Sequence, residues 1–356
     1  MKILTDWFRR YLSDPQLVFL TLLVLGVFAV VVTMGDMLAP VLASIVIAYL
    51  LEGLVGPLQR LGWPRLPSVL LIYVSFLLFL ALVLFGVLPL ASRQVTELVQ
   101  QLPVMITEGA KVLTDLPERY PELVTTEQIA EMITAIRAEV LSFGQQVLSW
   151  SVASVVGIIT ILVYLILMPL LVFFFLKDRD LIIEWFKGYM PRHRGIAGAV
   201  WADVDLQISN YVRGKFFEIL IVWIVSYVTF GLFGLRYAML LALLVGLSVI
   251  VPYIGATLVT IPVLLVAWFQ WGWSSQFAWL AIAYFIIQIL DGNVLVPLLF
   301  SEVVNLHPVA IIVAILVFGG IWGFWGVFFA IPLATLVQAI LSAWPRHPSA
   351  EAETTA

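Results

Sequence analysis

Cysteine is absent from this chain, so no disulfide, thiolate metal site, palmitoyl anchor or cysteine nucleophile is available to it. Histidine is nearly absent: His193, His307 and His347 are too scattered to suggest a metal cluster. Charge is scarce as well. Only 11% of the 356 residues are charged, the net charge is -4 and no long basic run occurs, which argues against a nucleic-acid partner. A phosphate-cradling G-x-x-x-x-G-K-[ST] loop is missing, because the Arg213 to Phe216 stretch lacks its first glycine and its hydroxyl residue. Neither H-E-x-x-H nor G-x-S-x-G is found, leaving intramembrane proteolysis or acyl transfer without a metal or a nucleophile. The expectation is a non-enzyme with no cofactor.

What the chain has instead is hydrocarbon. Hydrophobic residues make up 63% of it, too many for an ordinary globular domain, and this marks an integral membrane protein. Runs near the roughly 20 residues needed for a crossing are Leu17 to Met34, Val69 to Leu90, Trp150 to Leu176, Phe216 to Leu235 and Phe277 to Val296. The first exceeds a signal-peptide core and has no A-x-A-like site, so it reads as a retained span. Met37 to Leu51 is short and bracketed by Asp36 and Glu52. It either crosses a thinned bilayer or continues past its acidic flanks by burying them against neighbours. With the N-terminus inside, 13 of the 18 lysines and arginines fall on the inner side, the bias expected of cytoplasmic loops.

Ala91 to Ser149 reads as a soluble outer insert of two or three amphipathic helices. Ile129, Met132, Ile133, Ile136, Val140, Phe143 and Val147 line one face after a Thr125-x-x-Gln128 capping box. A packing lid or oligomer surface is the plain reading of it, and a ligand-binding surface the alternative. On the inner side, Lys177 to Lys215 mixes signs, and Trp201 to Lys215 reads as a helix along or beneath the membrane. Arg213 and Lys215 point toward the membrane entry at Glu218, suggesting a solvated end residue, or a latch or proton relay involving Glu218 and Arg213.

Two apolar stretches are too long for one crossing. Pro308 to Leu341 has no charge and as a straight helix would reach about 51 Å against a core of about 30 Å. Its middle holds Gly319, Gly320, Gly323 and Gly326, with Pro332 following, breakers that suit a turn at depth. Ala238 to Trp268 repeats the design, broken at Val251 to Gly255 through Pro252, with Pro262 beyond. Each reads as two half-helices, re-entrant or unwound at the centre, which in a membrane must line a cavity or be buried in protein. In each case a full span precedes the broken one, and the full spans run in opposite directions. That pattern is an inverted repeat, with binding at the midplane. Ordinary long kinked spans are the alternative.

Inside this greasy part stands Asp291, in Phe277 to Val296, followed by Gly292 and Asn293 and preceded one turn earlier by Gln288. A carboxylate at a helix centre in lipid costs about 2.5 to 3.5 kcal/mol on the lenient scale. Asp291, Gln288, Asn293 and the backbone freed at Gly292 are therefore candidate ligands for a cation, a proton or a polar solute. A structural account competes: pairing of Asp291 with Arg236, or acceptance of backbone N–H groups. Tyr253, Gly255, Thr257 and Thr260 flank the first break and can present hydroxyls and backbone to a ligand, or serve as glue between helices. Trp268, Trp271, Trp273 and Trp279 suit an interfacial belt, whereas Trp322 and Trp325 suit the closing of a hairpin tip.

The run from Ile289 to Ile312, with its Asp-Gly-Asn and Leu-His-Pro, and the Gly-rich Phe318 to Thr335 resemble the autoinducer-2 exporter (AI-2E) family, in its PerM-type permease branch. Leu176 to Asp180, Tyr211 to Lys215 and Val251 to Gly255 match as well. The resemblance implies a bacterial inner-membrane protein of about eight segments, acting as a permease. It links members to export of a quorum-sensing signal or to exchange of sodium or lithium for protons. It also implies homo-oligomers, in the form of pentamers for some members.

The reading as a whole is an all-α polytopic membrane protein with two broken hairpins and a helical outer insert. Its parts would be spans over 1–90, the insert over 91–149, span and cytoplasmic segment over 150–215, a transport repeat over 216–341 and a disordered cytoplasmic tail over 342–356. Function follows as secondary-active transport of a small polar solute, or exchange of H+ or Na+, across the lipid bilayer. A membrane scaffold or regulator acting through the insert, and a passive channel, are the rival readings.

Overall fold

The computed structural model describes residues 15–114, 126–151, 155–189, 195–252, 254–300 and 307–343, and among them every regular element is a helix. Tyr253, Thr125, the first 14 residues and the tail from 344 lie outside the described residues. Among the described residues, five helices are long and apolar enough to cross a membrane: Met37–Arg60, Arg65–Lys111, Asp205–Phe233, Ile254–Trp271 and Ser275–Phe300. Val163–Lys177, Ala238–Ser248 and Val309–Gly323 are shorter apolar helices. The all-α polytopic class is thus what the chain adopts.

Helices run through several boundaries that composition suggested. Helix α1 (Pro15–Arg60) joins the first two expected spans, and its only irregularity is a kink at Met34, with φ -120° and ψ 15°. The short span does continue past its acidic flank: Glu52 lies 3.4 Å from Arg65 and 3.6 Å from Arg179. Helix α2 (Arg65–Leu82) passes through a π-helical turn, Val83–Val87, into α3 (Leu88–Thr114). Gly86 and Pro89 stand at this boundary without ending the helix, which continues from the span into the insert. Its 47-residue apolar part, Arg65–Lys111, is about 70 Å long and exceeds a core of about 30 Å. Helix α4 (Thr126–Ser151) packs on α3, with Ile129 buried and Gly144 close to Val99 and Leu102.

Next come α5 (Val155–Lys177), α6 (Arg179–Tyr189) and α7 (Gly195–Phe233). The expected surface helix Trp201 to Lys215 is no separate element. It is collinear with the span after it, within the 39 residues of α7. The physical reason is that Lys, Arg and Glu are good helix formers, and pairing lets Lys215 and Glu218 be buried within that helix. The remaining elements are α8 (Ala238–Ser248), α9 (Ile254–Trp271), α10 (Ser275–Leu290), a π turn Asp291–Leu295, α11 (Val296–Phe300), α12 (Pro308–Phe328) and α13 (Ala330–Ala343).

The chain divides into two compact units, each holding one of the broken apolar stretches. The first comprises Met1–Tyr73, Leu167–Glu218 and Gly292–Ala356. In it Arg65 Nη2 donates at 2.9 Å to the Leu176 carbonyl near the end of α5, satisfying one of the acceptors a helix terminus leaves open. Ser44 Oγ bonds the Pro40 and Met168 carbonyls, and Tyr73 Oη donates to Pro169 O. Helices α12 and α13 pack against each other. The turn begins at Gly323, at φ 57° and ψ -134°, backbone open essentially to glycine alone. Just beyond it, the Phe318 carbonyl occupies the space where a Gly326 Cβ would stand. Trp322 and Trp325 each stack on Phe329 at 6.2 Å between centroids, so both close this tip.

The second unit comprises Val74–Ile166 and Ile219–Asp291. Helix α8 is apolar on every side and mostly buried, from Met239 to Gly246, as a half-helix enclosed by protein should be. It packs on α9 and on α3. Val249 to Pro252 are non-helical, so Pro252 lies in the connection while Gly255 is already the second residue of α9. Pro262 sits inside α9 without ending it. Gln270 fastens the base of the hairpin: Nε2 donates to Gly234 O and Oε1 accepts from Arg236 N, at 2.8 and 2.7 Å.

Candidate functional site

A run of polar side chains joins α9 to α10 within the second unit. Gln288 Nε2 donates to Tyr284 Oη at 2.8 Å, and Tyr284 Oη lies 2.9 Å from Thr260 Oγ1. Thr260 donates its own proton to the Ala256 carbonyl at 2.7 Å. The phenol must therefore give its proton to Thr260, which fixes one direction along the whole chain from amide to carbonyl. Tyr284 is fully buried, with Phe230 against its ring at 6.2 Å.

Asp291 follows Gln288 by three residues, on the same face of the helix. Its backbone N–H is shared between the Gln288 and Ile287 carbonyls, a three-centre bond common at helix ends. Here begins the π turn Asp291–Leu295, which contains Gly292 and Asn293. Both of these are exposed, whereas Asp291 Oδ1 is buried. The sequence suggested an interruption at Gly-Asn; the structure has a wider turn there and no unwinding. Such π turns inside α-helices occur frequently at functional sites.

Of the sequence candidates, Gln288 and Asp291 thus belong to one polar face, and the chain ends at Ala256, next to Gly255. Tyr253 lies outside the described residues. Tyr284 is the member that sequence reasoning missed. Its signal was available: Tyr284, Gln288 and Asp291 stand at i, i+4 and i+7 in an otherwise apolar run.

A second polar cluster lies in the first unit, on α7. Glu218, expected near solvent, is 2% exposed, and Lys215 is 4% exposed. Their ion pair spans 2.6 Å. Arg213 stands instead against Gly53 of α1. Phe300 of α11 covers the ammonium, 5.1 Å from nitrogen to ring centroid. Nearby on the same helix, Tyr211 and Val212 form a buried cluster with Ile331, and Val46, Leu50 and Ile208 pack against it.

The hairpin glycines divide by role. Gly323 supplies the turn and Gly326 the close approach, Gly319 lies against Val327, and Gly320 has nothing within 4 Å of a would-be Cβ. Pro332 is buried near the start of α13.

Comparison with known proteins points one way. Residues 17–346 match the family described as AI-2E family transporter. The chain is 46% identical over 345 residues to PerM of Escherichia coli (strain K12), a protein named as a permease, covering 97% of this chain and 98% of that one. YrrI of Bacillus subtilis (strain 168), named as a transport protein, is 27% identical over 306 residues, 85% of each. A Thermotoga maritima protein that bears the name transport protein is 25% identical over 329 residues, covering 92% of this chain and 94% of its own length.

Proposed function

The chain belongs to the AI-2E transporter family, and on that footing we propose that it is a secondary-active permease of the bacterial inner membrane, with both termini cytoplasmic. It moves a small polar solute, or exchanges cations for protons, through a site built around Asp291. The observation that carries this reading is the one-way hydrogen-bonded chain Gln288–Tyr284–Thr260 leading up to the π turn that begins at Asp291. A polar face of this kind, on helices apolar enough to cross a membrane, is where an intramembrane carboxylate binds or relays charge. Gly292 and Asn293 belong to the turn that begins at Asp291, and the doubled order of a full span before a broken one supports a repeat of inverted design. The bias of positive residues toward the inner side supports the orientation. The protein works as a homo-oligomer in this reading.

The test is flux in liposomes. Asp291→Asn keeps the shape but removes the charge and turns one acceptor oxygen into an NH2 donor. It should fold as the parent does and lose ion- or pH-dependent flux; undiminished coupled flux would sink the assignment.

A further inference from the structure

The first unit holds the components of a cation site with a cation of the chain's own already in it. The Lys215 ammonium lies between the Glu218 carboxylate, 2.6 Å away, and the Phe300 ring face, 5.1 Å from its centroid. Both charged side chains are almost wholly buried, at 5% and 3% exposure, within the candidate span Asp205–Phe233. Tyr211 flanks the same ring at 5.9 Å and anchors its hydroxyl on the Phe328 carbonyl at 3.3 Å. Gly214 makes the closure possible. A Cβ there would meet the Phe300 ring at 2.8 Å and the Leu299 carbonyl at 3.3 Å, so a larger residue would lift α11 off the ammonium. Arg213, the nearest other cation in sequence, is turned toward Gly53, and Asp205 is held by the Tyr49 hydroxyl.

An ion pair is a poor device for stability in such a place. Apolar residues of the same volume commonly serve as well or better, so a retained pair calls for a task. A carboxylate and an aromatic face are complementary to a single positive charge, and one carboxylate neutralises one charge only. Divalent ions require an array of oxygen ligands, more than one carboxylate supplies.

We propose that Glu218 and Phe300 form a monovalent-cation site that Lys215 fills as a tethered occupant, so that a dissolved cation enters by displacing the Lys215 ammonium. The site lies in the other unit from Asp291. It binds whether or not Asp291 carries the coupling charge, so its test reads binding and needs no transport.

Displacement frees the Lys215 amine for chemistry. In the intact protein in detergent, reductive methylation of Lys215, followed by peptide mass spectrometry, is measured while K+ or Na+ replaces N-methylglucamine at constant ionic strength. Methylation of Lys215 should rise several-fold with the small cation and saturate, while exposed Lys111 is methylated equally throughout. Lys215 that stays unmodified, or is modified equally at every cation concentration, overturns the proposal. A second measurement avoids the reactive amine. Lys215→Met leaves the carboxylate without its tether, and its unfolding temperature should rise with K+ or Na+ over N-methylglucamine, whereas the Lys215→Met/Glu218→Gln protein should show no such dependence. Equal responses in the two proteins would refute a cation site at Glu218.

Discussion

Gln94 of α3 caps a helix that it is not part of: its side-chain oxygen accepts the backbone N–H of Leu240, in the first turn of α8, at 2.8 Å. The cap residue of α8 itself, Tyr237, is left-handed at φ 59° and gives no side-chain hydrogen bond. One of the donors that every helix start leaves open is thus satisfied from the insert. Since α3 runs on from the span α2, the insert is an anchor for the first hairpin. Gln94→Ala removes the acceptor where water has little access. It should cost about 0.5 to 2 kcal/mol, the range for losing a cap, and hydrogen exchange should quicken at the amides of α8 ahead of those of α9. Unchanged exchange at Leu240 would show that the bond contributes nothing.

Tyr284 sits in the middle of the polar chain, so Tyr284→Phe breaks it at one point and keeps the ring against Phe230. Thr260 retains its bond to the Ala256 carbonyl, while the Gln288 amide loses its acceptor. Gln288 is half-buried, so water recovers part of the roughly 1 to 3 kcal/mol that a buried unpaired group costs, and a thermal unfolding curve in detergent should show a loss in the lower part of that range. If Gln288 is thereby set free to turn, the pH dependence of flux should change even where the folded fraction does not. A variant with the parent's stability and flux profile would reduce the chain to ordinary packing.

Much of this was legible in the sequence because breakers are local. Proline and glycine act on their own backbone, so the interruptions near Pro252 and Gly323 could be placed before any contact was known. The merging of Trp201 to Lys215 into α7 was not legible. Charges normally mark a water-facing segment, and only the tertiary setting shows that Lys215 and Glu218 cancel each other under Phe300. The link from Tyr284 to Thr260 was hidden for a similar reason, since it depends on how α9 and α10 are rotated against each other. The π turn at Asp291 was ambiguous, because Gly-Asn permits a break and a widening equally.

Met37 to Leu51 was expected either to cross a thinned bilayer or to continue past its acidic flanks, and on the Glu52 side the helix runs on to Arg60 with Glu52 against Arg65 and Arg179. The Glu52 side chain is 14% exposed, against 26% and 39% for the two arginines, so solvent weakens the pairing. Glu52→Gln should lower stability by roughly 1 kcal/mol, the upper part of the range for partly exposed pairs. The parent's unfolding temperature should fall with added salt more than the variant's does. Equal salt responses would mean that the Glu52 pairing contributes nothing, leaving Arg65 to hold these helices through the Leu176 carbonyl and Asp180.

The glycines of the second hairpin make the sharpest contrast, because they lie within a few residues of one another and face different surroundings. At Gly326 the Phe318 carbonyl already occupies the Cβ position. Gly326→Ala must push the limbs of the tip apart, at the upper end of the roughly 1 to 3 kcal/mol typical of overpacking or beyond it. Gly323→Ala has room but forces a side chain onto φ 57° and ψ -134°, a strain of roughly 1 to 3 kcal/mol. Gly320→Ala meets nothing within 4 Å and lies on a helix, where alanine is favoured by up to about 1 kcal/mol. Yield and unfolding temperature in detergent should therefore rank Gly320→Ala at or above the parent, Gly323→Ala below it and Gly326→Ala lowest. If alanine at 326 were tolerated as well as at 320, the apolar stretch could not be turning back on itself where Phe318 meets Gly326, and a straight crossing would have to replace the hairpin.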